Sequence, residues 1–406
     1  MGQAYPAMAA CSTSTTTVTC TADDTVANVQ AAIDGVGPGN LTLGINSGVN
    51  ITGGPADVAP LQLGAVAITN AGNLGVVLAP VGIDYAGDPT SAANTFSLTN
   101  TGVITGGVSV TGVGGTATVN STGPIGGAVS IQSLGAASAT LGGMVGTTGN
   151  LQDVTVEATT SGTTGGPVAN TVGAVTTTTT TTTRTGSAAS VTLAAGSSAD
   201  NVSVSGGTSS TASIAGSVAS VDAVALGTGT LVQTVVADAT PNNTSTTTSY
   251  AFTLTGGDAA VDVAATGAVS GDVLADGVTS GTVTNAGTVG GDVTANAVVL
   301  AAVSGIDPQA VTSTTTHVVS GTAPNDVVTD TLLATGKDVY LGGDASVQNA
   351  AGAEIGGNVS STGLTSATVG NAGTITGDVS VGASVNQSGY VYQTQSSSQN
   401  SGLACR

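Results

Sequence analysis

The stretch "NAGTVGGDV" at residues 285–293 decides the fold, because nearly the same nine residues return 86 positions later as "NAGTITGDV" at residues 371–379. Large aliphatic residues recur around both copies with steps of 4, 5, 5, 6 and 4 residues. They are Val269, Val273, Val278, Val283, Val289, Val293 and Val298 in the first region, and Ile355, Val359, Leu364, Val369, Ile375 and Val379 in the second. The pattern therefore closes every 20 residues.

A 20-residue period is too long for a heptad and lacks the i, i+3, i+4 face of a helix. It is typical of one coil of a solenoid, in which three short strands meet at glycine and asparagine corners and valines stack on valines. The sequence thus predicts an all-β fold, a single-stranded parallel β-helix (β-solenoid) over residues 36–386, with the two copies four coils apart. Asn100 and Asn120 are predicted to stack as a hydrogen-bonded ladder.

The composition agrees with this prediction. The chain has 62 Gly, 2% aromatic and 6% charged residues, so a core of large side chains is excluded. Its mean hydropathy of +0.36 argues against general disorder, which requires low hydrophobicity and high charge. Valine, threonine and glycine together favour short strands separated by turns.

The charge balance excludes several classes of partner. Three Lys and Arg residues stand against 23 Asp and Glu, which gives a formal net charge of −20. Because Arg184, Lys337 and Arg406 are isolated, no basic patch exists for nucleic acid or for anionic lipid headgroups. We also predict no membrane-spanning segment, since no apolar run reaches the length that a helix needs to cross a bilayer.

Four further segments flank or interrupt the predicted solenoid. Residues 1–23 form an N-terminal segment, and residues 24–35 read as a short amphipathic helix with Asp24 or Thr25 as N-cap and Gly35 as its stop. This helix would cover the open end of the stack. Irregular insertions are expected near residues 237–250 and 304–330, and residues 387–406 read as a polar C-terminal tail.

Cysteine usage points to an oxidising location. Cys11 and Cys20 frame "CSTSTTTVTC", so we expect a disulfide that closes a small loop, with free thiols as the alternative. Cys405 is then left over. A disulfide here favours a secreted or cell-surface protein.

Reactive clusters are absent from the sequence pattern, so we predict no enzyme and no cofactor. His317 is the one histidine and has no nucleophile motif around it. Asp272 and Asp292 are 20 residues apart and should be neighbours on adjacent coils. They are weak candidates for a surface cation site, and the alternative is a solvated corner.

The Asn-Ala-Gly-x-[Ile/Val]-x-Gly-Asp-Val phrases at 285–293 and 371–379 resemble the passenger domains of bacterial autotransporter adhesins. The segment "TVANVQAAIDG" resembles the helix that precedes the first coil of pectate-lyase-like β-helices. The resemblance implies a right-handed β-helix and a bacterial protein that is secreted or held at the cell surface. It also implies a role in adhesion, aggregation or biofilm formation.

Two functions of different classes follow. The first is a non-catalytic structural or adhesive rod whose partner is itself, as a homo-oligomer or polymer, or a cell-surface or matrix component. "GYVYQTQ" at 389–395 alternates well enough to add as a strand to another molecule, so Tyr390, Val391 and Tyr392 are candidates for self-association. The second is a carbohydrate-binding or polysaccharide-degrading β-helix, with scattered aromatic residues as sugar platforms. Those are Tyr85, Tyr250, Phe252, Tyr340, Tyr390 and Tyr392.

Overall fold

The computed structural model describes residues 10–52, 57–60, 64–76, 79–240, 243–300, 312–320, 327–337, 340–383 and 389–399. Within these residues the chain is nearly all β, with one helix and many parallel strands. The arrangement is compatible with a β-solenoid. The strands fall into three stacked groups, here named sheets A, B and C, and a fourth sheet named the lateral sheet.

Sheet A has 13 strands and runs the length of the stack. All of its neighbours are parallel except the first two, which form an antiparallel hairpin. Its strands are Cys11–Thr13, Thr17–Cys20, Leu41–Ile45, Val66–Asn70, Phe96–Asn100, Ala117–Ser121, Ala137–Leu141, Ala188–Leu193, Ser209–Ile214, Asp258–Val263, Ser280–Asn285, Asp344–Asn349 and Ser366–Asn371.

Sheet B has 11 strands, of which ten are parallel. The parallel strands are Ile83–Ala86, Val108–Val113, Val129–Ser133, Val154–Ala158, Asn201–Gly206, Ser220–Ala225, Val273–Asp276, Val293–Leu300, Val359–Gly363 and Val379–Gly382. Tyr340–Gly342 adds to it in the antiparallel direction.

Sheet C consists of short strands in two blocks. The first block is Asp24–Thr25, Asn50–Thr52, Asn73–Val76 and Val103–Ile104, with Ala79–Pro80 antiparallel to its third strand. The second block is Ser217–Val218, Ala268–Val269, Thr288–Val289, Glu354–Ile355 and Thr374–Ile375. Single bridges through Ile125, Val145 and Ser198 connect the blocks. A small hairpin, Gly146–Thr147 with Asn150–Leu151, lies beside them.

The chain visits the sheets in the order A, C, B, and one such pass is called a coil below. Where no insertion intervenes, equivalent residues are about one predicted period apart: Val273 pairs with Val293, and Val359 with Val379, each 20 residues later. The two copies of the nine-residue phrase are two coils apart, because Asn285 pairs with Asn349 and Asn349 with Asn371. The expectation of four coils is wrong, since an insertion occupies part of the interval.

The core forms because the inner strands of sheets A and B alternate between inward aliphatic and outward polar residues. In Phe96–Asn100 the first, third and fifth residues are buried and the second and fourth are exposed. Parallel pairing in register places each buried side chain directly above its equivalent, so small and β-branched residues stack without collision. The buried side chains of all three sheets join in one cluster.

Glycine is required at the corner between sheets A and C because successive coils touch there through their backbones. A Cβ atom added to Gly102 would lie 1.9 Å from the carbonyl oxygen of Gly72, and one added to Gly123 would lie 1.7 Å from that of Gly102. Any side chain at these positions would separate the coils. This close approach explains part of the high glycine content.

Helix α1 (Val26–Asp34) packs at the N-terminal end of the stack. The Thr25 hydroxyl accepts a hydrogen bond from the backbone N–H of Asn28 at 3.4 Å and caps the helix, and Gly35 follows its last turn. Val26, Val29 and Ile33 are buried on one face. The helix therefore covers apolar side chains of the first coils, as a terminal cap should.

The lateral sheet is built entirely from excursions that leave the stack after a strand of sheet B. Its eight strands pair in the antiparallel direction. They are Ser161–Thr164, Val168–Val172, Val175–Thr185, Thr228–Thr240, Asn243–Thr255, Thr312–Ser320, Val327–Lys337 and Gly389–Gln399. The predicted insertions near 237–250 and 304–330 contribute four of these strands, and Gly389–Gln399 of the predicted tail is another.

Candidate functional site

The repeated phrase spans the corners of one coil. Its first residue, Asn285 or Asn371, ends a strand of sheet A, and its aspartate, Asp292 or Asp378, immediately precedes a strand of sheet B. Both positions are stacked on equivalent residues of neighbouring coils. The phrase therefore marks two ladders of side chains that run parallel to the stack.

The first is a buried asparagine ladder. The Asn285 Nδ2 group donates to Asn349 Oδ1 at 2.9 Å, and the Asn349 Nδ2 group donates to Asn371 Oδ1 at 2.8 Å. The same amides also donate to backbone carbonyls of Glu354 and Thr374, both at 3.1 Å. Asn285 and Asn349 are almost completely buried. Buried amides of this kind must be paired, so the ladder fixes the register of the coils.

A second buried ladder lies nearer the N-terminus. The Asn70 Nδ2 group donates to Asn100 Oδ1 at 2.8 Å, and the Asn100 Nδ2 group donates to Ser121 Oγ at 2.8 Å. The prediction for Asn100 agrees with this arrangement. The prediction for Asn120 is wrong, because Asn120 pairs in register with Thr99 and is exposed on the outer face. A shift of one residue along a strand moves a side chain to the opposite face.

The other ladder that the repeated phrase marks is formed by its aspartates. It is exposed and runs along the corner before sheet B. Asp272 Oδ1 accepts the backbone N–H of Asp292 at 2.8 Å, and Asp292 Oδ1 accepts that of Asn358 at 2.6 Å. Asn358 Oδ1 in turn accepts the backbone N–H of Asp378 at 2.9 Å. Each side chain thus satisfies a backbone donor of the next coil.

The glycine before each of these residues leaves room for the acceptor of the previous coil. A Cβ atom on Gly291 would lie 2.2 Å from Asp272 Oδ1, and one on Gly357 would lie 2.4 Å from Asp292 Oδ1. A backbone atom of Gly271 lies 2.5 Å from the Cβ position on Gly291, and backbone atoms of Gly291 lie 2.5 Å from the Cβ position on Gly357. In the Gly-Asp pair of the phrase, the glycine therefore leaves room for the acceptor of the previous coil, and the aspartate accepts a hydrogen bond from the next coil.

This geometry bears on the predicted cation site at Asp272 and Asp292. The structure brings the two residues onto adjacent coils, with one Asp272 oxygen engaged by the Asp292 backbone. Among the described residues, no three His, Cys, Asp or Glu side chains converge as metal ligands would. What the arrangement provides is a set of hydrogen bonds between coils.

Asp276 is a partly buried carboxyl residue on sheet B. It pairs with Val224 on one neighbouring strand and with Asn296 on the other. Burial raises the pKa of this carboxyl above its ordinary value, since desolvation disfavours the charged form.

Tyr85 was a candidate sugar platform, and the structure places it inside the core. It is completely buried, and its ring stacks on Phe96 with centroids 5.1 Å apart. The Asn94 Nδ2 group donates to the Tyr85 hydroxyl at 2.6 Å. Burial raises the pKa of this hydroxyl despite that hydrogen bond. Tyr85 therefore has no surface available for a sugar ring. The side chains of the other candidate platforms lie outside the described residues.

The two cysteines of the N-terminal hairpin form a disulfide. Cys11 and Cys20 are directly opposite each other in the antiparallel pair that begins sheet A, with their Sγ atoms 2.08 Å apart. Both are buried against the first coils. The disulfide joins the two strands of the N-terminal hairpin at the end of the stack that α1 covers. Cys405 lies outside the described residues.

The self-association candidates Tyr390, Val391 and Tyr392 are in the strand Gly389–Gln399. That strand pairs with Val327–Lys337 and, in the part of the chain that the structure describes, is the last strand at one margin of the lateral sheet. The structure therefore positions its backbone as a sheet edge.

The opposite margin of the lateral sheet carries residues that sequence reasoning missed. Val168 is 70% exposed and Val172 is 73% exposed, the highest values among the large hydrophobic residues that the structure describes. They belong to the strand Val168–Val172, which pairs with Val175–Thr185. The signal available in the sequence was "VANTV", a five-residue stretch with three β-branched residues, bounded by Pro167 and Gly173.

Comparison with known protein families, with curated proteins and with solved structures finds no match to this chain. In the described part of the chain, no helix is both long and apolar enough to pass through a lipid bilayer.

Proposed function

We propose that this chain is a non-catalytic structural or adhesive protein of the bacterial cell surface or its surroundings. In this proposal the stack is a right-handed parallel β-helix that serves as a stiff rod. Its partner is either another copy of itself or a cell-surface or matrix component. It acts as a surface-fibre or surface-layer subunit, or as the passenger of an autotransporter.

The observation that carries the proposal is the continuous in-register parallel stacking of sheet A, which runs over 12 strands from Thr17–Cys20 to Ser366–Asn371. Each coil contacts only its neighbours, so such a stack is stiff along its axis and presents long, uniform faces. The side chains that could have carried chemistry at the corners, such as Asp272 and Asp292, instead accept backbone hydrogen bonds between coils. The disulfide supports an extracellular setting.

Self-association is supported by the lateral sheet. The strand Gly389–Gln399 has a neighbour on one side among the described residues, so the other side offers backbone groups for strand addition. Its sequence "GYVYQTQSSSQ" carries no charge and no proline, the features that usually protect an edge.

The proposal is tested by two measurements on the purified chain. Small-angle scattering should give the profile of an extended rod, and sedimentation at rising concentration should show growing complexes. Removal of residues 387–406 should reduce that growth, whereas substitution of Asn120, an exposed residue of sheet A, by Ala should not. A chain that stays monomeric at all concentrations, and that does not bind immobilised matrix components, would contradict the proposal.

The alternative of a carbohydrate-binding or polysaccharide-degrading protein is tested with a panel of polysaccharides. Retention on a polysaccharide resin, or release of new reducing ends, would replace the proposed rod function by this one. Of its six candidate platforms, Tyr85 is already assigned to the core by its burial.

A further inference from the structure

The margin of the lateral sheet formed by Val168–Val172 is an exposed strand with a self-complementary sequence. All five of its residues are exposed, and on its paired side Val168 lies opposite Thr179 and Val172 opposite Val175. Among the described residues its other side has no neighbouring strand. Two large apolar side chains thus remain in water on an open edge, an arrangement that proteins usually avoid.

We propose that a second copy of this chain occupies this edge, as a two-fold symmetric antiparallel pair centred on Asn170. The inference deepens the self-association proposed above and rests on it, but it uses the margin opposite to Gly389–Gln399. The new pair continues the antiparallel pattern that joins every strand of the lateral sheet.

The sequence "VANTV" is suited to antiparallel pairing with the same strand of a second copy. When the strand is turned about a two-fold axis through Asn170, Val168 lies opposite Val172 of the second copy, and Ala169 lies opposite Thr171. Asn170 then meets its own equivalent, and two amides can donate to and accept from each other. Because alternate side chains share a face, the two Val–Val pairs and the Asn pair lie together on one side of the new sheet.

Electrostatics favours this margin for contact between copies. The chain carries a net charge of −20, so two copies repel each other wherever carboxylates meet. Residues 159–183, which contain the whole hairpin around Val168–Val172, include no charged residue. Two copies can therefore approach here without burying a carboxylate.

The contact is small, because a five-residue strand from each copy buries far less than the area of a typical stable dimer. We therefore expect weak association in dilute solution. An array of many copies on one surface would strengthen it, since the second and later contacts form at high effective concentration. Two-fold pairing also closes on itself and joins two molecules at this margin.

Cysteine cross-linking tests the two-fold register. In a Cys405→Ser background, with the native Cys11–Cys20 disulfide intact, Asn170→Cys should form covalent dimers under mild oxidation, because the axis brings the two introduced thiols face to face. Val168→Cys alone is the matched control. Its equivalent in the second copy is about 13 Å away along the strand, so it should link only when mixed with Val172→Cys.

A second pair of variants tests the contact without cross-linking. Val172→Lys should raise the dissociation constant of the dimer at least about tenfold, because it places a charge on the edge and removes an apolar contact. Val379→Lys is the control, since Val379 is 50% exposed and lies in the last coil rather than in the lateral sheet. Circular dichroism should show both variants folded.

The outcomes separate this inference from the proposed function. Wild-type protein that never associates would overturn this inference together with the self-association part of the proposed function, whereas adhesion to matrix components would still be tested separately. Association that persists in Val172→Lys, or cross-linking that is as efficient for Val168→Cys alone as for Asn170→Cys, would overturn only the two-fold contact at this margin.

Discussion

The buried ladder through Asn100 gives a prediction that can be worked out in detail. The Asn100 side chain accepts one hydrogen bond from Asn70 and donates one to Ser121, both at 2.8 Å, and it is completely buried. Each such bond contributes about 1 kcal/mol net, and the space left by the amide costs about a further 1 kcal/mol. We therefore expect Asn100→Ala to lower the free energy of unfolding by about 2–3 kcal/mol.

The loss should be local, because each coil contacts mainly its neighbours and such stacks can open in parts. Amide hydrogen exchange of the strands Phe96–Asn100 and Ala117–Ser121 measures the local free energy directly, and urea unfolding followed by circular dichroism measures the whole. Asn120→Ala is the matched control. Asn120 is the same residue type on the neighbouring strand but is exposed, so its loss should change stability by less than about 0.5 kcal/mol.

A double-mutant cycle shows whether the hydrogen bond itself matters. Asn100→Ala and Ser121→Ala remove the two partners of one bond, so their combined effect should be smaller than the sum of the separate effects by about 0.5–1 kcal/mol. Equal losses for Asn100→Ala and Asn120→Ala, or strictly additive effects in the cycle, would refute the assignment of the ladder as the device that fixes the register.

Three further predictions concern stability. Asp292→Ala should cost about 1–2 kcal/mol in urea unfolding because the Asn358 N–H loses its acceptor, whereas Asp292→Asn should stay within about 0.5 kcal/mol, and equal losses would contradict the corner ladder. Burial raises the pKa of Asp276, so the stabilising contribution of its protonated carboxyl is present at acid pH and is lost as the pH rises through the raised value. Asp276→Asn should therefore have a higher melting temperature than the wild type at neutral pH and the same melting temperature at acid pH. Replacing Cys11 and Cys20 together by Ser should cost about 2–3 kcal/mol, and reductant should lower the melting temperature of the wild type but not of this variant.

The sequence alone determined the local rule of this fold. Aliphatic residues at steps that close every 20 residues require a chain that returns to the same place after one coil, and Val273 and Val293 are indeed paired neighbours. The strand alternation and the glycine corners also follow from the sequence, because burial of every second residue and close approach of two backbones each depend on only a few neighbouring residues. The positions of Thr25 and Gly35 likewise define the ends of α1.

Tertiary structure decided everything that depends on register between distant segments. The sequence could not show that Ser121, and not Asn120, stacks on Asn100, since a slip of one residue exchanges the faces of a strand. Nor could it show that the excursions between sheets B and A pair with one another, because Thr-rich strands such as Val175–Thr185 have no pattern that selects one partner. The stack determines the pairing there, because all the excursions leave it at the same corner. They form one sheet whose two margins have no further strand among the described residues.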